Sequence, residues 1–187
     1  MGTRYEFGAP ERKFHRPETG LVLSDGSVIE GYASIFGRPD QGGDIVAPGA
    51  YAKSLEDLRA GGRRVKMLWQ HDPAEVIGVW DEVREDEKGL WVHGRILPDI
   101  ARGREAVALV AAGAIDGLSI GYRTIRAVRD GKGNRLLAEI ELWEVSLVTF
   151  PMMPDARVAS KRSERDELDW RTVADLFEDA RQSIVRG

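Results

Sequence analysis

Short apolar stretches that alternate with polar residues dominate the chain, and they are punctuated by glycine, proline and acidic turns. Leu21–Leu23 and the alternating run Val28–Phe36 flank the turn signal Ser24-Asp25-Gly26-Ser27, which predicts a hairpin. Val65–Trp69 is a short apolar strand. Val76–Val83 and Leu90–Leu97, joined through Glu85-Asp86-Glu87-Lys88-Gly89, predict a second hairpin. Gly117–Val128 and Leu136–Phe150, joined by a turn over 130–134, predict a third, which Pro151 and Pro154 terminate.

Two segments carry helical spacing. Tyr51, Leu55 and Leu58 share one face after Pro48-Gly49, and Gly61-Gly62 close that helix. Ile100, Val107 and Val110 share the next face, with Asp99 as the expected N-cap and Gly113 in the left-handed position after the last turn. The pattern predicts seven strands and two or three helices. It specifies a mainly β, α+β fold: an antiparallel barrel or sandwich with helices packed outside. Residues 1–20 are polar and broken by proline, and read as a flexible N-terminal arm or an edge segment. The domain proper is expected over 21–158. After it, 159–187 holds a charged linker and an amphipathic helix with Trp170, Val173, Leu176, Phe177 and Ile184 on one face.

Composition narrows the chemistry. The 187 residues suit one domain and contain no cysteine, which excludes disulfides, thiol nucleophiles and cysteine-ligated metals. The 27 basic and 31 acidic side chains leave a net charge of −4, against general nucleic-acid binding. No apolar run approaches a membrane span, and no h-region of a signal peptide is visible near Met1, so a soluble intracellular protein is expected. No Gly-rich phosphate loop occurs, no H-E-x-x-H is present, and the three histidines are dispersed; no metal or cofactor is expected.

Three features could carry catalysis. His71 ends the strand Val65–Trp69, where a general base would be held rigidly and reach solvent, although a surface histidine of ordinary pKa is the plain alternative. Ser119 lies between Gly117 and Gly121, whose missing side chains would give clearance to a substrate strand or would merely let a barrel strand bend. Gly117-Leu-Ser-Ile-Gly121 satisfies G-x-S-x-G, but a helix precedes it and a strand follows, the reverse of a nucleophile elbow. Glu144 shares a strand face with Ile140, Leu142, Ser146 and Val148, while Glu139 and Glu141 face the other way. A carboxylate on an apolar row needs a partner, and an imidazole N–H is the natural one; a bulge returning Glu144 to solvent is the alternative.

These stretches together resemble the prohead, or capsid maturation, proteases of tailed bacteriophages and related gene-transfer particles. The matching residues are Gly31-Tyr-Ala-Ser-Ile-Phe-Gly37, Trp69-Gln-His-Asp72 with Ile77-Gly78, Asp116-Gly-Leu-Ser-Ile-Gly-Tyr122, and Trp143-Glu-Val-Ser-Leu-Val-Thr-Phe-Pro151, in family order. The resemblance implies an assemblin-like closed antiparallel β-barrel surrounded by helices. It implies a serine endopeptidase with Ser119 as nucleophile, His71 as general base and Glu144, ahead of Glu141 or His93, as third member. It places the oxyanion hole on the loop after that strand, at Met152 and Met153 with help from Arg157. It also implies action in the host bacterial cytoplasm inside the assembling procapsid, on the major capsid protein, its scaffold segment and the enzyme itself, in a fold that often dimerises. On this reading 159–187 is either a docking segment lost by self-cleavage or an ordinary helix covering the barrel. The rival expectation is a catalytically silent scaffolding protein on the same barrel.

Overall fold

The computed structural model describes residues 11–15, 22–40, 42–129 and 134–149. Among them nine strands form one sheet: β1 (Glu11–His15), β2 (Val22–Ser24), β3 (Val28–Ile35), β4 (Asp44–Val46), β5 (Lys66–Trp69), β6 (Asp72–Glu85), β7 (Gly89–Ile96), β8 (Gly117–Arg129) and β9 (Arg135–Val148). Helix α1 (Ala52–Ala60) joins β4 to β5, and α2 (Ala101–Ala111) joins β7 to β8. The ladder runs β1-β8-β9-β5-β6-β7-β3-β2, with β4 paired to β9 beside that path.

The three predicted hairpins are present, and the two strands beyond the predicted seven are β1 and β4. Neither has a pattern of its own. Glu11–His15 sits in the polar arm and becomes an edge strand only because β8 offers it a partner, and the three residues of β4 lie in a glycine-rich loop. The sheet is also less uniformly antiparallel than the hairpins imply. One edge of β9 pairs in parallel with β4 at its start and with β5 near its end, and α1 makes the crossover.

The fold is mainly β, as expected, but the closed barrel implied by resemblance is not confirmed: the ladder does not close among the described residues, and β1 and β2 end the path unpaired with each other. Instead β3 lies against β1 and β8 across the opening. Asp99 is not the cap of α2; Ile100 takes that place in extended conformation with no side-chain cap. The other end is as the glycine predicts. Gly113 (φ 69°) donates to Val110 O at 2.9 Å and Ala114 donates to Leu109 O at 2.9 Å, the paired bonds of a Schellman motif.

One apolar core joins the inner faces of the strands to both helices. Met67, Ile77, Leu118, Ile120, Leu142, Val145 and Leu147 surround its centre, with Leu55 of α1 and Ala106 and Val110 of α2 packed onto it. At the middle of β9 the pairing slips: Gly121 faces Glu144, but Tyr122 faces Leu142, which leaves Trp143 as the extra residue of a bulge. The displaced backbone is caught from outside, as Leu142 N–H donates to the buried Ser54 Oγ of α1 at 2.9 Å. Removing that hydroxyl orphans a buried donor, so Ser54→Ala should lower unfolding free energy by about 1–3 kcal/mol in chemical denaturation. Ser24→Ala, on the exposed first turn, should change it by less than about 0.5 kcal/mol.

Candidate active site

The site is built across three neighbouring strands. In the sheet β9 lies between β8 and β5, and the registers Ser119↔Ser146, Gly121↔Glu144 and Leu68↔Ser146 place the chemistry of all three at one level. His71 follows β5 in the two-residue turn that joins it to β6, between the paired residues Trp69 and Asp72.

That turn is strained. Gln70 (φ 51°) and His71 (φ 63°) both adopt left-handed backbone, the requirement of a type I′ hairpin turn, which Asn-Gly normally fills. Such conformations cost non-glycine residues of order 1–2 kcal/mol each and collect at functional sites. Gln70 is fastened to the end of β9. Its N–H donates to Leu147 O at 2.9 Å, its Nε2 donates to Thr149 Oγ1 at 2.6 Å, and Thr149 N–H donates back to its Oε1 at 3.4 Å.

Held in this way, the imidazole bridges two buried groups. His71 Nδ1 lies 2.5 Å from Glu144 Oε1, and His71 Nε2 lies 2.6 Å from Ser119 Oγ. With Oε1 as the acceptor, the consistent tautomer has Nδ1–H donating to the carboxylate and Nε2 accepting the Ser119 hydroxyl. The second carboxylate oxygen, Oε2, accepts Ser146 Oγ–H at 2.5 Å. Ser119 and Ser146 are 0% exposed, His71 6% and Glu144 8%.

The structure thus brings together the three residues singled out in the sequence. It corrects two expectations about their surroundings. His71 is buried in a turn, where a strand end open to solvent was expected. The bulge that threatened to expose Glu144 exposes Trp143 instead, 37% accessible, and leaves Glu144 inside. Gly121 also has a different purpose. A Cβ there would collide with the Glu144 carboxylate, so the clearance is filled by that side chain. Nor is there an open strand edge at Ser119, because β8 pairs with β9 on one side and with β1 on the other, where Phe14 faces Ser119. At Gly117 the β1 pairing has already ended, at His15↔Leu118.

Other candidates lie elsewhere. His93 stands on β7, separated from β8 by β9, β5 and β6. Glu141 is ion-paired with Arg123 at 2.6 Å. Met152, Met153, Arg157 and the amphipathic segment lie outside the described residues. Sequence reasoning missed Ser146 and the Gln70–Thr149 clamp. The first had a signal, since Ser146 sits two residues from Glu144 on the same face.

A profile of the caudovirus prohead serine protease family matches residues 15–169. The chain belongs to that family. It is 34% identical over 142 residues to the prohead protease of Enterobacteria phage HK97, which covers 73% of this chain and 60% of that protein. It is 30% identical over 160 residues to the capsid polyprotein of Pseudomonas phage PAJU2, which covers 81% of this chain and 22% of that protein. The chain therefore spans less than two thirds of the first relative and under a quarter of the second. Its fold is similar to that of the bacteriophage T4 capsid assembly protease, with a TM-score of 0.59 and 14% identity, over 75% of this chain and 99% of that one.

A short bond from an imidazole N–H to a carboxylate strongly deshields the shared proton. One far-downfield proton resonance is therefore expected in NMR spectra. It should persist in Ser119→Ala and vanish in Glu144→Ala; its survival in Glu144→Ala would show that Nδ1 has a different partner.

Proposed function

We propose that the protein is a serine endopeptidase of phage procapsid maturation, with Ser119 as nucleophile, His71 as general base and Glu144 as the acid that orients it. The observation that carries this reading is the single imidazole within 2.5 Å of a buried carboxylate and 2.6 Å of a buried hydroxyl. Family membership and the capsid-assembly names of its relatives support it.

A serine hydroxyl is too weakly acidic to attack an amide unaided. His71 Nε2 takes the proton of Ser119 Oγ as the oxygen adds to the scissile carbonyl, and returns it to the leaving amine as the tetrahedral intermediate collapses. Glu144 holds the productive tautomer and stabilises the imidazolium, and Ser146 keeps the carboxylate oriented by binding its far oxygen. A water then repeats the sequence on the acyl-enzyme. Ser119 is fully buried, so a substrate must displace whatever covers it before acylation. Clearance for the substrate chain is assigned to Gly117. The oxyanion donors are assigned to the segment after β9, with Met152 and Met153 N–H groups and Arg157.

In this reading residues 21–158 are the catalytic barrel, closed by packing of β3 on β1 and β8. Residues 1–20 are the arm that contributes β1, and 159–187 is a tail released by self-cleavage. Substrates are the major capsid protein and its scaffold segment, inside the assembling procapsid of a bacterial host. Homodimerisation is part of the proposal, and nucleic acid and membrane are not partners. The silent-scaffold alternative is less favoured, because a relic has no use for a strained His71 turn or for a glycine that leaves room for Glu144.

Co-expression with the capsid protein tests the assignment. Ser119→Ala and His71→Ala should each slow processing at least ~10³-fold, while His93→Ala leaves it unchanged. Gly121→Ala displaces the carboxylate and should slow processing by ~10²-fold with the fold intact. Processing by Ser119→Ala at the wild-type rate would remove the nucleophile assignment.

A further inference from the structure

Along β9 from Glu144, where Trp143 and Ile125 are exposed, α1 and strands β8 and β9 line an open cavity of about 480 Å³. Its position follows from two local devices. The Ser54–Leu142 bond pins α1 over β9. At the helix end Gly62 (φ 62°) and Arg63 close a second Schellman motif, donating to Arg59 O at 3.1 Å and Leu58 O at 2.8 Å, which turns the chain so that Arg63 and Arg64 line the mouth with Lys66. The apolar part of the lining includes Ile125, 42% exposed, and Trp143, 37% exposed.

The charges of this groove are unbalanced in a specific way. Its lining carboxylates are engaged: Asp57 with Lys53 at 2.8 Å, Glu141 with Arg123 at 2.6 Å, and Glu139 with Arg126 at 3.9 Å. Arg63, Arg64 and Lys66 are exposed and form no ion pair with any described residue. Three uncommitted cations beside an exposed indole and an exposed isoleucine fit an acidic peptide with bulky apolar residues.

The chain carries such a segment. Residues 164–179 hold seven carboxylates against two arginines, a net charge of −5, and include Trp170, Leu176 and Phe177. The connection is long enough. Glu164 lies fifteen positions beyond Thr149, an extended reach of about 50 Å, whereas returning along β9 from Thr149 to Trp143 requires about 20 Å. We infer that the groove between α1 and strands β8 and β9 is the docking site for the acidic segment 164–179 of the same chain. Arg63, Arg64 and Lys66 receive its carboxylates, and Trp143 and Ile125 receive its apolar side chains. The inference needs only the groove and the tail, and holds whether or not Ser119 is the nucleophile.

Photo-crosslinking tests it on the full-length Ser119→Ala chain, in which self-cleavage by Ser119 cannot shed the tail. With Trp143 replaced by p-benzoylphenylalanine, irradiation and peptide mass spectrometry should place the crosslinks within 164–179 of the same chain. The yield should fall by about tenfold in Arg63→Glu/Arg64→Glu/Lys66→Glu. It should recover when Glu164, Asp166 and Glu167 are also changed to lysine. In the chain with native charges the yield should fall as salt is raised. Crosslinks to a second copy or to another segment, no crosslink at all, or a yield indifferent to both charge reversal and salt would each overturn the inference.

Discussion

A carboxylate placed inside a protein is the constraint around which this structure is arranged. Glu144 projects from the middle of β9 into a buried site, where an uncompensated charge costs several kcal/mol. Two donors offset that cost, His71 Nδ1–H at one oxygen and Ser146 Oγ–H at the other. Each donor imposes something in turn. The imidazole must be carried to β9 by a neighbouring strand, which β5 does through its parallel pairing. The carboxylate needs volume on the side facing β8, and glycine at position 121 supplies it.

The position of His71 depends on backbone that the sequence would not choose. A type I′ turn built from Gln-His is less favourable than one built from Asn-Gly, and the surrounding bonds must hold it. They do so through Gln70, whose main chain and side chain both reach the end of β9. The strain, the clamp and the buried imidazole–carboxylate geometry form one unit. The proposed proton relay from Ser119 is the chemistry which that unit is shaped to perform. The bulge at Trp143 belongs to it as well, since the slip in pairing lets Glu144 point inward while Trp143 points out, and α1 secures the slip through Ser54.

Much of this was legible in the chain. Hairpins marked by acidic, glycine-containing turns and alternating strands were readable because their periodicity is local. Ser119, His71 and Glu144 are each anomalous in sequence, as a hydroxyl between glycines, a histidine at a strand end and an acid on an apolar face, but each has a plain structural alternative, and only the family resemblance joins the three. β4 and the parallel edge of β9 were not readable, because three residues have no period and pairing partners are chosen by tertiary packing. The same holds for Glu11–His15, polar in sequence and a strand only beside β8. The purpose of Gly121 was misread for a related reason: a glycine announces space, but only the fold shows which side chain fills it. Asp99 illustrates the limit of capping rules, since Ile100, an unfavourable cap residue, occupies the position.

The proposed chemistry rests on one hydroxyl, Ser119 Oγ, set 2.6 Å from the His71 imidazole in a chain of the caudovirus prohead serine protease family. The most direct measurement of that proposal is covalent. Incubation of the purified chain with a fluorophosphonate, followed by intact-mass and peptide analysis, should give one adduct, on Ser119 Oγ. The adduct should be lost in His71→Ala, because without the base the hydroxyl is an ordinary alcohol. No adduct at Ser119, or one that forms equally fast in His71→Ala, would contradict the account.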